Sequence, residues 1–139
     1  MILKSNLKSI YYFIPIFLGI FFISFLLLKD PYDSQLNEKQ YFDSPVVKNV
    51  NLVFYKKGCP YCKDGKKEVV KYISKSKAIS YVVNVDSIEG KKLVLKYDVK
   101  YAPTIVYIRG NKVSSFLYAD DKNGKIYVEK EKIKEAFEK

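Results

Sequence analysis

Cys59 and Cys62 are the only thiols in the chain, and they are separated by Pro60 and Tyr61 alone. This spacing suits thiol–disulfide chemistry. A cysteine at the N-terminus of a helix meets unpaired backbone N–H groups and the positive end of the helix dipole, which favour its thiolate. A second cysteine one turn further along lies on the same face, and its sulfur can reach back to close a disulfide. Cys59 is then the exposed attacking nucleophile and Cys62 resolves the mixed disulfide. No separate cofactor is needed, because the Cys59–Cys62 disulfide is itself the redox centre. Lys56, Lys57 and Lys63 surround the pair with positive potential, so Lys57 and Lys63 are candidates for tuning the thiols.

Two other readings of the pair stay open. An inert disulfide closing so short a loop would constrain the unfolded chain only weakly. A structural zinc site would need four ligands, and the chain has no second cysteine pair and no histidine. The lack of histidine also excludes Ser-His and Cys-His catalysis and removes the side chain that switches charge near neutral pH.

The elements that would position the pair follow from local pattern. Val50 to Tyr55 is a short apolar, β-prone run that predicts a buried strand. Pro60 suits the first position of a helix, where its missing N–H costs nothing. Cys62, Gly65, Val69 and Ile73 then share one face of a helix reaching about Lys75, with lysines on the other. Ile79–Val85 predicts a second strand, and Asp86 or Ser87 can cap a helix to about Tyr97. Thr104–Ile108 and Lys112–Tyr118 predict two strands joined by a turn at Gly110-Asn111. Asp120–Lys125 reads as a polar loop, and Glu129–Phe137 as a last helix. The order β-α-β-α-β-β-α implies an α/β domain: a right-handed βαβ unit joined to a hairpin, giving a mixed sheet of four or more strands flanked by helices.

Residues 10–28 carry no charge. The run approaches the ~20 residues needed to cross a bilayer core, and single breakers such as Pro15 and Gly19 are tolerated in spanning helices. It is apolar all round, unlike a helix that packs on a core by one face. Lys4 and Lys8 precede it, while Lys29 and Asp30 nearly cancel, so the positive-inside bias puts the N-terminus in the cytoplasm and the domain outside. A cleaved signal peptide would have a shorter apolar core ending in small residues, whereas this one ends Leu26-Leu27-Leu28-Lys29-Asp30-Pro31. No cysteine lies near its end for lipoprotein processing. The expected organisation is a cytoplasmic N-terminus (1–9), an uncleaved transmembrane anchor (10–28), a polar linker (29–48) with some local structure around Tyr41-Phe42, and the domain (49–139).

The stretch from Val53 through Cys62 resembles the active-site strand and turn of the thioredoxin superfamily. Asn84-Val85-Asp86 and Lys96 through Val113 resemble the second half of the same fold. The likeness covers residues 49–139 and implies a thioredoxin fold with Cys59 and Cys62 as the catalytic pair. It also implies that Pro103 is the superfamily's cis-proline, facing the cysteines, and that Ala102 offers its backbone to an extended substrate by β-augmentation. Tyr61 joins Ala102 and Pro103 in the implied substrate-binding set. There are departures. Thioredoxin has tryptophan where this chain has Gly58, a buried acid at the position of Val53, and its lysine partner at the position of Val82. Pro60-Tyr61 is the dipeptide of glutaredoxins, yet Ala102-Pro103-Thr104 is not their motif and their glutathione contacts are not evident.

The implied function is an extracytoplasmic, membrane-anchored thiol–disulfide oxidoreductase acting on cysteine-containing exported proteins or peptides, together with a membrane or extracytoplasmic redox partner. Pro60-Tyr61 suggests a potential above thioredoxin's roughly −270 mV. The alternative is a thioredoxin-fold scaffold, similar in plan to small bacterial proteins that accompany bacteriocin export. The chain carries a net charge of +10, and Lys63, Lys66, Lys67, Lys71, Lys75 and Lys77 lie along and just after the first domain helix, a pattern that an ordinary solvated face accounts for. No nucleic-acid-reading module accompanies it.

Overall fold

In the computed structural model, residues 2–44 and 48–139 are described, with side chains from Lys8 onward. Met1 and residues 45–47 of the expected linker lie outside the described residues. The chain divides into two compact units, residues 1–33 and 34–139.

The first unit is dominated by one helix, α1 (Ile2–Leu28), which contains Pro15. Its Lys8–Leu28 segment has 21 residues, a mean hydropathy of 2.4, and none of its hydrophobic window buried. At about 1.5 Å per residue such a segment covers the ~30 Å hydrocarbon core of a bilayer. It is therefore long and apolar enough to span a membrane. A 3-10 turn, Pro31–Ser34, follows.

The second unit is built on a five-stranded sheet in the order β1-β3-β2-β4-β5. The strands are β1 (Leu36–Asn37), β2 (Asn49–Tyr55), β3 (Ile79–Asn84), β4 (Thr104–Arg109) and β5 (Lys112–Leu117). β1, β3 and β2 are mutually parallel, and β4 and β5 run antiparallel to their neighbours. The apolar run of β2 places it at the centre of the sheet, with Val50 to Phe54 all buried. Its side chains alternate between faces. Val50, Leu52 and Phe54 join Tyr81, Val83, Val106 and Ile108 beneath Tyr41 and Leu93, the latter two from helices α2 (Glu38–Asp43) and α4 (Ile88–Lys96). Asn51 and Val53 point the other way. Helices α3 (Pro60–Ile73) and α5 (Lys130–Glu138) pack side by side there, burying Val69, Tyr72, Ile133 and Phe137.

Two segments depart from the sequence-based expectation. Most of the presumed linker is part of the fold. β1 pairs with β3 through Leu36↔Tyr81 and Asn37↔Val82. Asn37 caps α2 in a reciprocal capping box with Gln40. Tyr41 is buried, edge-on to Tyr81 at 5.5 Å, with its hydroxyl 2.6 Å from that of Tyr97. A two-residue strand with both side chains exposed has no period to detect, which is why the segment looked irregular. The presumed polar loop is a hairpin, β6 (Ala119–Lys122) and β7 (Lys125–Val128). Asn123 and Gly124 turn it with positive φ values of 56° and 74°. Asn-Gly is the sequence that such a tight hairpin turn requires, but charged side chains along β6 hid the alternation.

Candidate active site

The site forms where β2 ends and α3 begins. β2 carries the chain to Tyr55, and Lys56, Lys57 and Gly58 make the turn. Gly58 has φ of 78°, a left-handed conformation that a residue with a Cβ resists. A glycine rather than a bulkier residue before the first cysteine thus has a backbone reason. The Cys59 N–H donates to the Lys56 carbonyl at 3.3 Å, and Cys59 becomes the N-cap of α3. Pro60 takes the first helical position. The Cys62 N–H donates to Cys59 Sγ at 3.3 Å, so the first sulfur occupies the place of a capping side-chain oxygen.

The two thiols differ in environment. Both are free; Cys59 is half-buried and Cys62 is buried at 2% exposure. Burial pushes the Cys62 thiol up to about 12, reinforced by its hydrogen bond with Cys59 and by the charge Cys59 would carry. The Lys56 backbone and the Tyr118 side chain hydrogen-bond the same sulfur and act in the opposite direction. Cys62 is thus held as a protonated thiol behind an accessible Cys59.

The remaining sequence-derived candidates separate into two groups. Tyr61, Ala102 and Pro103 come together in one groove of about 310 Å³, completed by Tyr101, Leu117, Ala119 and Asp120. The Ala102–Pro103 peptide is cis. Lys57 and Lys63 remain exposed, and among the described residues neither ammonium forms a hydrogen bond or ion pair with Cys59. Their influence is limited to a field screened by solvent. Val53 and Val82 lie directly opposite each other in the β2–β3 register, both buried. Among the described residues, no group of three or more His, Cys, Asp or Glu gathers into a metal site.

Tyr118 was not identified from sequence. It lies between β5 and β6, fully buried, and reaches Cys62. The signal that could have found it is Gly65. A glycine on the inward face of an amphipathic helix, one turn beyond Cys62, marks a place where a large group from elsewhere lies against the backbone.

A family model described as Thioredoxin matches residues 33–138. A comparison with curated protein sequences finds no match. Among solved structures, the chain is similar to the germline-specific thioredoxin Deadhead of Drosophila melanogaster, with 26% identity, a TM-score of 0.49, and coverage of 60% of this chain and 85% of that one. It is similar to mitochondrial thioredoxin 3 of Saccharomyces cerevisiae, with 18% identity, a TM-score of 0.52, and coverage of 63% and 87%. Thioredoxin O2 of Arabidopsis thaliana gives 15% identity, a TM-score of 0.51, and coverage of 60% and 79%. At these identities the yeast and plant structures speak for the fold, and the family match, which takes in most of the chain, goes further. The chain belongs to the thioredoxin family.

Proposed function

We propose that this protein is a membrane-anchored thiol–disulfide oxidoreductase that exchanges disulfides with cysteine-containing exported proteins or peptides through Cys59 and Cys62. The observation that carries the reading is the asymmetry of the pair: Cys59 is accessible at the N-cap of α3, while Cys62 is buried directly behind it. When the protein acts as a reductant, the Cys59 thiolate attacks one sulfur of a substrate disulfide. A Cys59–substrate bond forms as the substrate S–S bond breaks, and the released substrate sulfur takes up a proton. Cys62 then attacks Cys59 Sγ, frees the second substrate thiol and leaves the Cys59–Cys62 disulfide. The reverse sequence oxidises a substrate dithiol. The groove formed by Tyr61, Tyr101, Ala102 and Pro103, which Tyr61 joins from between the two cysteines, supports docking of an extended segment.

The anchor reading rests on the apolar Lys8–Leu28 segment and on Lys4 and Lys8 before it. This arrangement favours a cytoplasmic N-terminus and a domain on the other side of the membrane. A redox partner in or outside the membrane would reset the pair. The test is Cys62→Ser in the native cell. Without the resolving thiol, Cys59 should accumulate mixed disulfides that run as reducible adducts on a gel, and their partners should be exported proteins. Absence of adducts, together with normal function of Cys59→Ser, would transfer support to a scaffold that only binds extended partners.

A further inference from the structure

A buried thiol that must attack as an anion needs something to carry its charge. On the face of the sheet that α3 covers, β2 and β3 set Val53 and Val82 opposite each other, both buried and neither able to ionise. The chain contains no histidine. Among the described residues, the side chains that bear on the charge of the Cys62 sulfur are Cys59, which is consumed in the mixed disulfide, and Tyr118, which favours the charged form.

Tyr118 is held in place from several directions. Its N–H donates to the Pro103 carbonyl at 3.3 Å, and its carbonyl accepts from the Glu129 N–H at 3.0 Å. Its ring lies against Gly65: a Cβ on that glycine would come within 2.6 Å of Cδ2 and 2.7 Å of Cε2. Gly65 is three residues beyond Cys62, on the same buried face of α3. The close approach of ring to helix sets Tyr118 against the same face of α3 that carries Cys62. Any other residue at position 65 would push it away.

We infer that the Tyr118 hydroxyl is the hydrogen-bond donor that supports negative charge on the Cys62 sulfur while the mixed disulfide is resolved. In that step the Cys62 thiol gives its proton to water. The Cys62 sulfur forms a bond to Cys59 Sγ as the Cys59–substrate S–S bond breaks. The electron pair leaves on the substrate sulfur, which is then protonated. Tyr118 keeps its own proton throughout and donates a hydrogen bond that strengthens as the charge develops. Burial keeps Cys62 from competing with Cys59 for the first attack, and Tyr118 restores enough reactivity for the second.

This inference rests on the redox reading above, and one experiment separates the two. The reduced full-length chain in nanodiscs is mixed with an aromatic disulfide whose released thiolate absorbs visible light. The first release reports attack by Cys59, and the second reports resolution by Cys62. In Tyr118→Phe the first phase should be unchanged. The second should slow about tenfold below its pH midpoint, with that midpoint raised by about one unit, the size expected for losing a hydrogen bond to a charged acceptor. A second phase with unaltered rate and midpoint, or equal slowing of both phases, would overturn the assignment. If the Phe variant does not fold, 3-fluorotyrosine at position 118 decides. Its more acidic phenol should move the second midpoint downward, and an unmoved midpoint would overturn the role. If the wild-type chain gives no first phase, the redox reading itself fails.

Discussion

Replacing Gly65 by alanine probes how the site is built. On an exposed helix this change stabilises by about 1 kcal/mol, because alanine loses less conformational entropy on folding. At position 65 the new methyl would meet two ring carbons of Tyr118 at 2.6 and 2.7 Å, separations that real Cβ contacts do not tolerate. The ring is fully buried, and its backbone is fixed at the Pro103 carbonyl and the Glu129 N–H, so it cannot swing into solvent. Overpacking of this kind costs about 1–3 kcal/mol, and the upper half of that range applies where the neighbour is pinned. The net expectation is a loss of about 1–2 kcal/mol, with a midpoint of thermal unfolding lower by roughly 5–10 °C for a domain of this size. Thermal unfolding of the full chain in non-ionic detergent, followed by near-ultraviolet circular dichroism of the tyrosines, measures it. The same variant should slow the Cys62 step more than the Cys59 step, because the displaced ring carries its hydroxyl away from the sulfur. An alanine variant more stable than wild type by about 1 kcal/mol, as for an exposed helical glycine, would refute the packing argument.

Two further outcomes follow from the same geometry. The stability of the reduced protein should fall as pH rises from the ordinary cysteine value of 9.0 toward about 12. Across that window the unfolded chain releases the Cys62 proton while the folded chain retains it, so alkali favours unfolding. Tyr97, also raised by burial and by its hydrogen bond to Tyr41, adds to the decline above pH 10.0, so the Cys62 share is taken as the difference between wild type and Cys62→Ala. Parallel curves for the two would contradict a buried, protonated thiol. Arg109→Met should destabilise by about 2–3 kcal/mol, because it removes charged hydrogen bonds. Those bonds run to the Asn51 side chain at 2.8 Å and the Ala136 carbonyl at 2.7 Å, and together they tie α5 to the sheet. Disulfide exchange by the folded Arg109→Met variant should match wild type, and a selective loss of exchange would contradict a purely structural role.

What was legible in the sequence was local. The apolar run of β2, Pro60 at the start of α3 and the Cys59–Cys62 spacing each carry their meaning within a few residues, and they place the reactive pair at a strand-to-helix junction. Val53 and Val82 could be singled out only by resemblance; the β2–β3 register then makes them neighbours. The N-terminal part of the fold was hidden because β1 is two residues long and its partner strand lies far away in sequence. The Asn37–Gln40 capping box was nevertheless a readable sign of α2. The β6–β7 hairpin was masked by charge, although its Asn-Gly turn was in plain view. Tyr118 and Arg109 were harder to read for a different reason. Each acts through contacts made by the whole fold, Tyr118 through Gly65 and Pro103, and Arg109 through Asn51 and Ala136. Arg109 has no sequence neighbour that betrays it, and Tyr118 is signalled only indirectly, by the glycine at position 65.

The most direct test of the central claim is equilibration of the full-length chain with glutathione redox buffers, following the fraction of Cys59–Cys62 disulfide by thiol alkylation and mass. The expected result is a reversible two-electron couple with a potential above thioredoxin's roughly −270 mV. A pair that forms no disulfide under any of these buffers, or one that cannot be reduced once formed, would contradict a thiol–disulfide oxidoreductase.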